Sequence, residues 1–556
     1  MVNQRGIFLK QVLSKIYGKL NMNRTADAME SIDKCQAGGM RNRSTADQTY
    51  LLRAASDHCK YIDRPLFITL YDYSQCFDSL WLSDSLLSLL KIGVDKEIVR
   101  IIKKLNETCN IVVKTPVGMT NEFQMNNIVQ QGSISGAPLC VASTAEIADE
   151  DLGKGCQIGL AILKALAFVD DIATLNCNHT DTYRSHKSVT WFSARKRLLL
   201  NALKCVLLCI NVKQNDVIPR LKIGDTILKN VEKAAYLGDI FNSQGNNNDL
   251  IDDRVTKGKA VTINALSLCS EITMGVYTIQ TIMLLYRCMF LAVVLYNAQA
   301  WSNLTAKNIH DLQVVQLSLL KRMVHAPTST SNTITFLELG TLPIINEIHI
   351  KQLMFLHHII NLDDNDPVKI THSQQLKYPY EPNWGNSVIK LKELYGISED
   401  DEEICNLSKE NWKKMVKTKV YSYVFEQLCD KAAQQKKAAN LTYSKMNIQD
   451  YLIKLPSENA RKVFHIRSGT IDLRGNRTYK YGEVTSCRLC GSDVENVEHV
   501  VNECPGVTRH GGVVNFLSSD CEELLEVSKR CIDFDYQVEE LEELKLATSA
   551  SASGEI

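Results

Sequence analysis

The chain has no surplus of charge of either sign: 63 Lys and Arg balance 63 Asp and Glu over 556 residues. Affinity for nucleic acid rests on neutralising phosphates, so this balance excludes a uniformly basic binding surface. An uninterrupted apolar run of roughly 20 residues is also lacking, which excludes an ordinary bilayer-spanning helix and predicts no membrane partner. No secretory segment opens the sequence, and the expected location is intracellular, nuclear and cytoplasmic. Neutrality conceals an asymmetry. Residues 1–60 hold ten Lys/Arg against five Asp/Glu, whereas 515–556 hold three against eleven. Without that acidic tail the remainder carries +8, the sign that a nucleic-acid cleft needs. A chain of this length is expected to contain about two to four structural units around a sizeable apolar core.

Eighteen cysteines are present, most of them in apolar runs such as VLLC and LSLC, where a free cysteine behaves as a small hydrophobe. A reducing compartment follows from the missing secretory signal, and there a Cys/His cluster favours metal over disulfide. Cys487, Cys490, His499 and Cys504, in SCRLCGSDVENVEHVVNECPG, follow the spacing C-x2-C-x8-H-x4-C. Three thiolates and one imidazole at these separations suit one tetrahedral, structural Zn²⁺.

Two acidic sites stand out in the N-terminal half. Asp72 lies in FITLYDYSQCFDSL, and Asp170 and Asp171 lie in LAFVDDIATL. In both, apolar strand-like residues run directly into carboxylates. An Asp ending a strand is commonly a solvated turn or a helix cap. The pair is more informative, because Ala165 to Val169 precede it and Ile172 and Ala173 follow, a pattern of a tight β-hairpin with adjacent acids at its tip. Clustered carboxylates repel one another unless a cation joins them. Together they would form a hard-oxygen cage for Mg²⁺, the arrangement of two-metal phosphoryl transfer.

Other features follow in a definite order. NNIVQQGSISGAPLC, with Gln131 and Gly132, separates the acidic sites; LLLNALKCVLLCI, with Asn201 and Lys204, and VEKAAYLGDIFNSQG, with Tyr236, Leu237 and Gly238, come after them. This series resembles the palm motifs of reverse transcriptases, specifically those of non-LTR (LINE-type) retrotransposons. NQRGI and QAGGMRNRSTADQTYLL resemble the late fingers of that family, YNAQAW and FLELGTLPI its thumb, and a Cys/His knuckle follows the thumb in LINE-type proteins.

The resemblance implies an RNA-directed DNA polymerase with two catalytic Mg²⁺ ions held by Asp72 and Asp170, and Asp171 supporting them. Lys204 would neutralise or protonate departing pyrophosphate. Phe77 would crowd the sugar 2′ position, Gln131 and Gly132 would line the nucleotide and template pocket, and Tyr236 to Gly238 would grip the primer end. Arg5 would contact the triphosphate. A core aromatic at Phe77 and a solvated lysine at Lys204 remain the plain alternatives. The implied partners are an RNA template, a DNA primer and deoxynucleoside triphosphates.

The expected fold is α+β: a right-hand polymerase palm with helices on one face of its sheet, partial fingers, a helical thumb and a C-terminal zinc knuckle. The boundaries are 1–69 partial fingers, 70–240 palm, 241–370 thumb, 371–480 helical linker region, 481–510 knuckle and 511–556 an acidic, disordered tail. Two departures from the family accompany these agreements: SISGAPLC replaces the usual Ser-Pro step after Gly132, and neither early fingers strands nor an endonuclease domain is expected. A nuclease would be supplied separately. The alternative is a repurposed nucleic-acid-binding remnant of such an enzyme.

Overall fold

The computed structural model describes residues 8–127, 129–214, 216–273, 278–378, 383–398, 400–435, 440–476, 478–491, 494–508 and 512–552. The strands that build the site are β1 (Leu66–Tyr71), β2 (Cys156–Ile158), β3 (Ala161–Leu163), β4 (Ala165–Phe168), β5 (Asp171–Asn176), β6 (Val206–Ile210), β7 (Lys229–Val231), β8 (Lys233–Tyr236) and β9 (Asp239–Asn242). Five of them form one sheet in the order β7-β6-β1-β5-β4. β1 pairs antiparallel with both β5 and β6, and only β6 with β7 is parallel.

All six residues of β1 are buried. Leu66, Ile68 and Leu70 enter one core, while Phe67 and Tyr71 enter another. Helix α1 (Thr45–Tyr61) packs on the first face and α2 (His179–Arg195) on the second. The sheet is therefore covered on both sides, where helices on one face were expected. A strand buried at every position, such as LFITLY, requires this, because a solvated face would need polar residues at alternate positions. Caps fix the starts of both helices: the Ser44 backbone N–H donates to Asp47 Oδ2 at 2.7 Å, and Asn178 Oδ1 accepts from the Asp181 N–H at 2.8 Å.

Beyond the sheet the chain is helical. Helices α3 (Ala306–Met323), α4 (Asn332–Leu339), α5 (Ile344–Ile360), α6 (Lys409–Ala433) and α7 (Ser457–Arg467) share the larger core with α1. Trp412 is fully buried, and its indole N–H donates to the Leu353 carbonyl at 3.0 Å, seating α6 on α5. The stretch expected as a linker region thus completes the same core.

The acidic tail, expected to be disordered, is instead helix α8 (Cys521–Ala552). Val527, Cys531, Phe534 and Val538 are buried along one stripe of it, against the core that also holds Cys487 and Cys504. The i, i+4, i+7, i+11 spacing of these residues outweighs the acid-rich composition, whose charges occupy the other faces. No described helix is long and apolar enough to cross a membrane.

Candidate active site

Asp72 follows β1 directly, and Asp171 opens β5. The register pairs Tyr71 with Ile172, so the next step along both strands sets Asp72 beside Asp171. The two acids line one open cleft of about 410 Å³ together with Lys204, Lys233, Tyr236, Leu237 and Gly238. Lys204 Nζ lies 3.6 Å from Asp72 Oδ2. The Asp72 backbone is held on both sides: its carbonyl accepts from the Asn201 N–H at 2.8 Å, and its N–H donates to Cys205 Sγ at 3.4 Å.

Asp170 occupies the β4–β5 turn. Phe168 pairs with Asp171, leaving Val169 and Asp170 as a two-residue loop. Val169 has φ +60°, an uncommon conformation for a β-branched residue that costs on the order of 1–3 kcal/mol. The fully buried Gln36 amide and the Thr144 hydroxyl hold it there. Neither residue was singled out from the sequence as part of the site. The run QAGG carried the available signal, because Gly38 has no room for a side chain: a Cβ there would stand 2.2 Å from the Val169 nitrogen.

A second tight turn closes the cleft. Leu237 and Gly238, at φ +47° and +83°, connect β8 to β9, and two positive φ values match the twist of a hairpin. Their carbonyls accept from Asn297 Nδ2 at 3.2 Å and from the Arg254 guanidinium at 2.8 Å. Tyr236 is buried, with its hydroxyl donating to the Leu166 carbonyl at 3.1 Å. Burial, and then the Asp171 charge, pushes its phenol well above the ordinary range.

Residues 2–241 match the family model described as reverse transcriptase (RNA-dependent DNA polymerase). These residues are a reverse transcriptase domain. No curated protein matches the chain significantly. Among solved structures, the chain is similar to apo telomerase from Candida tropicalis (13% identity, 68% of this chain and 60% of that chain, TM-score 0.33). It is also similar to telomerase from Candida albicans in complex with a TWJ fragment of telomeric RNA (12% identity, 66% and 59%, TM-score 0.29). A C-terminally truncated Candida tropicalis telomerase matches over 42% of this chain and 45% of that chain, with 14% identity and a TM-score of 0.30. The chain thus spans between 45% and 60% of these telomerases.

Within the reverse transcriptase domain Phe77, Gln131 and Gly132 are not among the residues that line the cleft. Phe77 is half-buried against the second core, on the short helix Cys76–Ser79. The Gln131 carbonyl accepts from the Phe8 N–H at 2.9 Å, and Gly132 lines a separate small cavity with Lys10, Ser14 and Asn21. Arg5 lies outside the described residues.

The donor chemistry of the cleft fits hard cations, since its two acids, Asp72 and Asp171, supply only carboxylate oxygens, and Asp170 adjoins Asp171 in the turn. Two described groups gather three or more ligand atoms within 4.8 Å of one another, and the aspartates are not among them. One such group is Cys487, Cys490, His499 and Cys504. Cys487 Sγ and Cys504 Sγ are 3.7 Å apart, and Cys490 Sγ is 3.4 Å from His499 Nε2. The other His499 nitrogen faces the Glu503 carboxylate at 3.6 Å, a supporting contact common around zinc-bound imidazoles. Arg488 and the fully buried Glu495 tie the intervening loop together through paired hydrogen bonds of 2.8–3.1 Å. The donor set and its spacing fit Zn²⁺.

Proposed function

We propose that the chain is an RNA-directed DNA polymerase of a non-LTR retroelement, extending a primer 3′-hydroxyl on an RNA template. The cleft in which Asp72, Asp171 and Lys204 converge, inside a reverse transcriptase domain, carries this reading. The order of the palm motifs, with a Cys/His group after the thumb-like helices, favours the retroelement assignment.

Asp72 and Asp170 would hold two Mg²⁺ ions, with Asp171 supporting them; when bound, the ions lower the charge on the reacting phosphate and activate the primer hydroxyl. Lys204, with its side chain 65% exposed, is free to swing from Asp72 toward pyrophosphate, where a cation offsets the charge of the leaving group. The turn at Leu237 and Gly238, braced by Asn297 and Arg254, would fix the primer end opposite the carboxylates. Phe77 would bear on the sugar, and Gln131 and Gly132 on the nucleotide and template. Cys487, Cys490, His499 and Cys504 would hold one structural Zn²⁺.

Primer extension on an RNA template with purified protein and Mg²⁺ tests the assignment. Extension by wild type that vanishes in Asp72→Ala and Asp170→Ala is the expected result. Template binding without extension by wild type would instead identify a nucleic-acid-binding remnant.

A further inference from the structure

A second cysteine group lies inside the reverse transcriptase domain, away from the carboxylates. Cys59 comes from α1, Cys156 opens β2, and Cys177 follows the last residue of β5. Their sulfur atoms all lie within 4.8 Å of one another. Cys59 Sγ is 3.5 Å from Cys156 Sγ and 3.7 Å from Cys177 Sγ. Cys59 and Cys156 are fully buried, and Cys177 is half-buried. Sequence separations of 97 and 118 residues between these contacting thiols hide the group from any spacing motif.

The plain alternative is three thiols packed as small apolar groups. Two observations weigh against it. The separations approach the edge of a tetrahedron around Zn²⁺, about 3.8 Å for Zn–S bonds of about 2.3 Å, and they match the 3.7 Å between Cys487 and Cys504 in the C-terminal group. The charge environment is also suitable. The Arg64 guanidinium acts on both Cys59 and Cys177, so a fixed positive charge stands beside three thiolates and a divalent ion, which together carry a net negative charge.

We propose that Cys59, Cys156 and Cys177 bind a second Zn²⁺, with its fourth position open on the half-exposed side of Cys177. The ion would bond α1, the β2–β3 hairpin and the far end of β5 to one another. Asp171 begins β5 and Cys177 follows its end, so the site lies roughly 20 Å along the strand from the carboxylates. Its role is to fix the strand that carries Asp171, and it takes no part in the chemistry. On binding, each thiol that becomes a ligand loses its proton to solvent, and no oxidant or reductant is consumed.

Elemental analysis of full-length protein purified under reducing conditions tests the site. Wild type is expected to hold two zinc ions per chain, Cys177→Ala one, and Cys487→Ser with Cys490→Ser one. Equal zinc in wild type and a folded Cys177→Ala protein would overturn the proposal, as would an intact mass lower by two hydrogens from a Cys59–Cys156 disulfide. Loss of one zinc in Cys177→Ala, with none lost from the Cys487 and Cys490 double variant, would support this site while removing the C-terminal one. Should Cys177→Ala fail to fold, cobalt substitution gives an independent reading. A cobalt ion with thiolate charge-transfer absorption that persists in the Cys487→Ser, Cys490→Ser protein supports the proposal, and absence of that absorption in the double variant overturns it.

Discussion

Gln36 holds both backbone polar groups of Val169. The Val169 N–H donates to Gln36 Oε1 at 2.9 Å, and Gln36 Nε2 donates to the Val169 carbonyl at 3.1 Å. Thr144 Oγ1 donates to the same carbonyl at 2.7 Å. A turn with Val169 in the left-handed region is therefore fixed from outside its own hairpin, and Asp170 and Asp171 inherit its position.

Gln36→Leu keeps the volume and removes both contacts. It should cost about 2 kcal/mol, since the half-buried Val169 N–H is left without its partner. The effect on extension should exceed the effect on stability. Urea unfolding and single-turnover extension, measured together, check this; a variant with unchanged turnover would show that the clamp does not position the acids.

Gly38→Ala should be worse. The added Cβ would meet the Val169 nitrogen at 2.2 Å and the Phe168 carbonyl carbon at 2.7 Å, and backbone cannot yield as a flexible side chain does. A loss of about 3 kcal/mol is expected, together with a displaced turn and lost extension. Gly512→Ala, where no atom lies within 4 Å of the new Cβ, is the control and should be neutral by thermal melting.

Glu338 is fully buried and accepts from Arg467 Nε at 2.9 Å, Tyr443 at 2.7 Å and Tyr451 at 2.8 Å. Glu338→Ala strands the Arg467 charge and should destabilise by about 3–5 kcal/mol. Glu338→Gln should cost less. Equal unfolding midpoints for the two variants would count against this account.

Glu146 supplies a pH signature. Burial pushes its carboxyl up, but Lys196 at 2.7 Å, Lys91 at 2.8 Å and the Ser88 hydroxyl outweigh burial and hold it down to about 2, against an ordinary 4.5. A depressed carboxyl stabilises the fold above its unfolded value, and that stability is lost as pH falls from 4.5 toward about 2. The contribution is about 2 kcal/mol, allowing for solvent screening around Lys91. Glu146→Gln should flatten the loss of urea midpoint over that acid range; an unchanged slope would assign the effect to other carboxylates.

The strand-to-acid transitions at Asp72 and Asp170, the hairpin between Ala165 and Ala173, and the C-x2-C-x8-H-x4-C spacing were legible in the sequence because each depends on residues close together in the chain. Composition alone misled for the tail, where the apolar stripe of Val527, Cys531, Phe534 and Val538 lies within an acidic segment. The family model independently covers residues 2–241. Tertiary structure decided what lies far apart in sequence: antiparallel pairing set Asp72 beside Asp171, the Gln36 amide reached a turn 133 residues away, and three solitary cysteines met behind the sheet. A chain pattern records local periodicity and charge, whereas such contacts arise only when two faces of a buried strand have each found a cover.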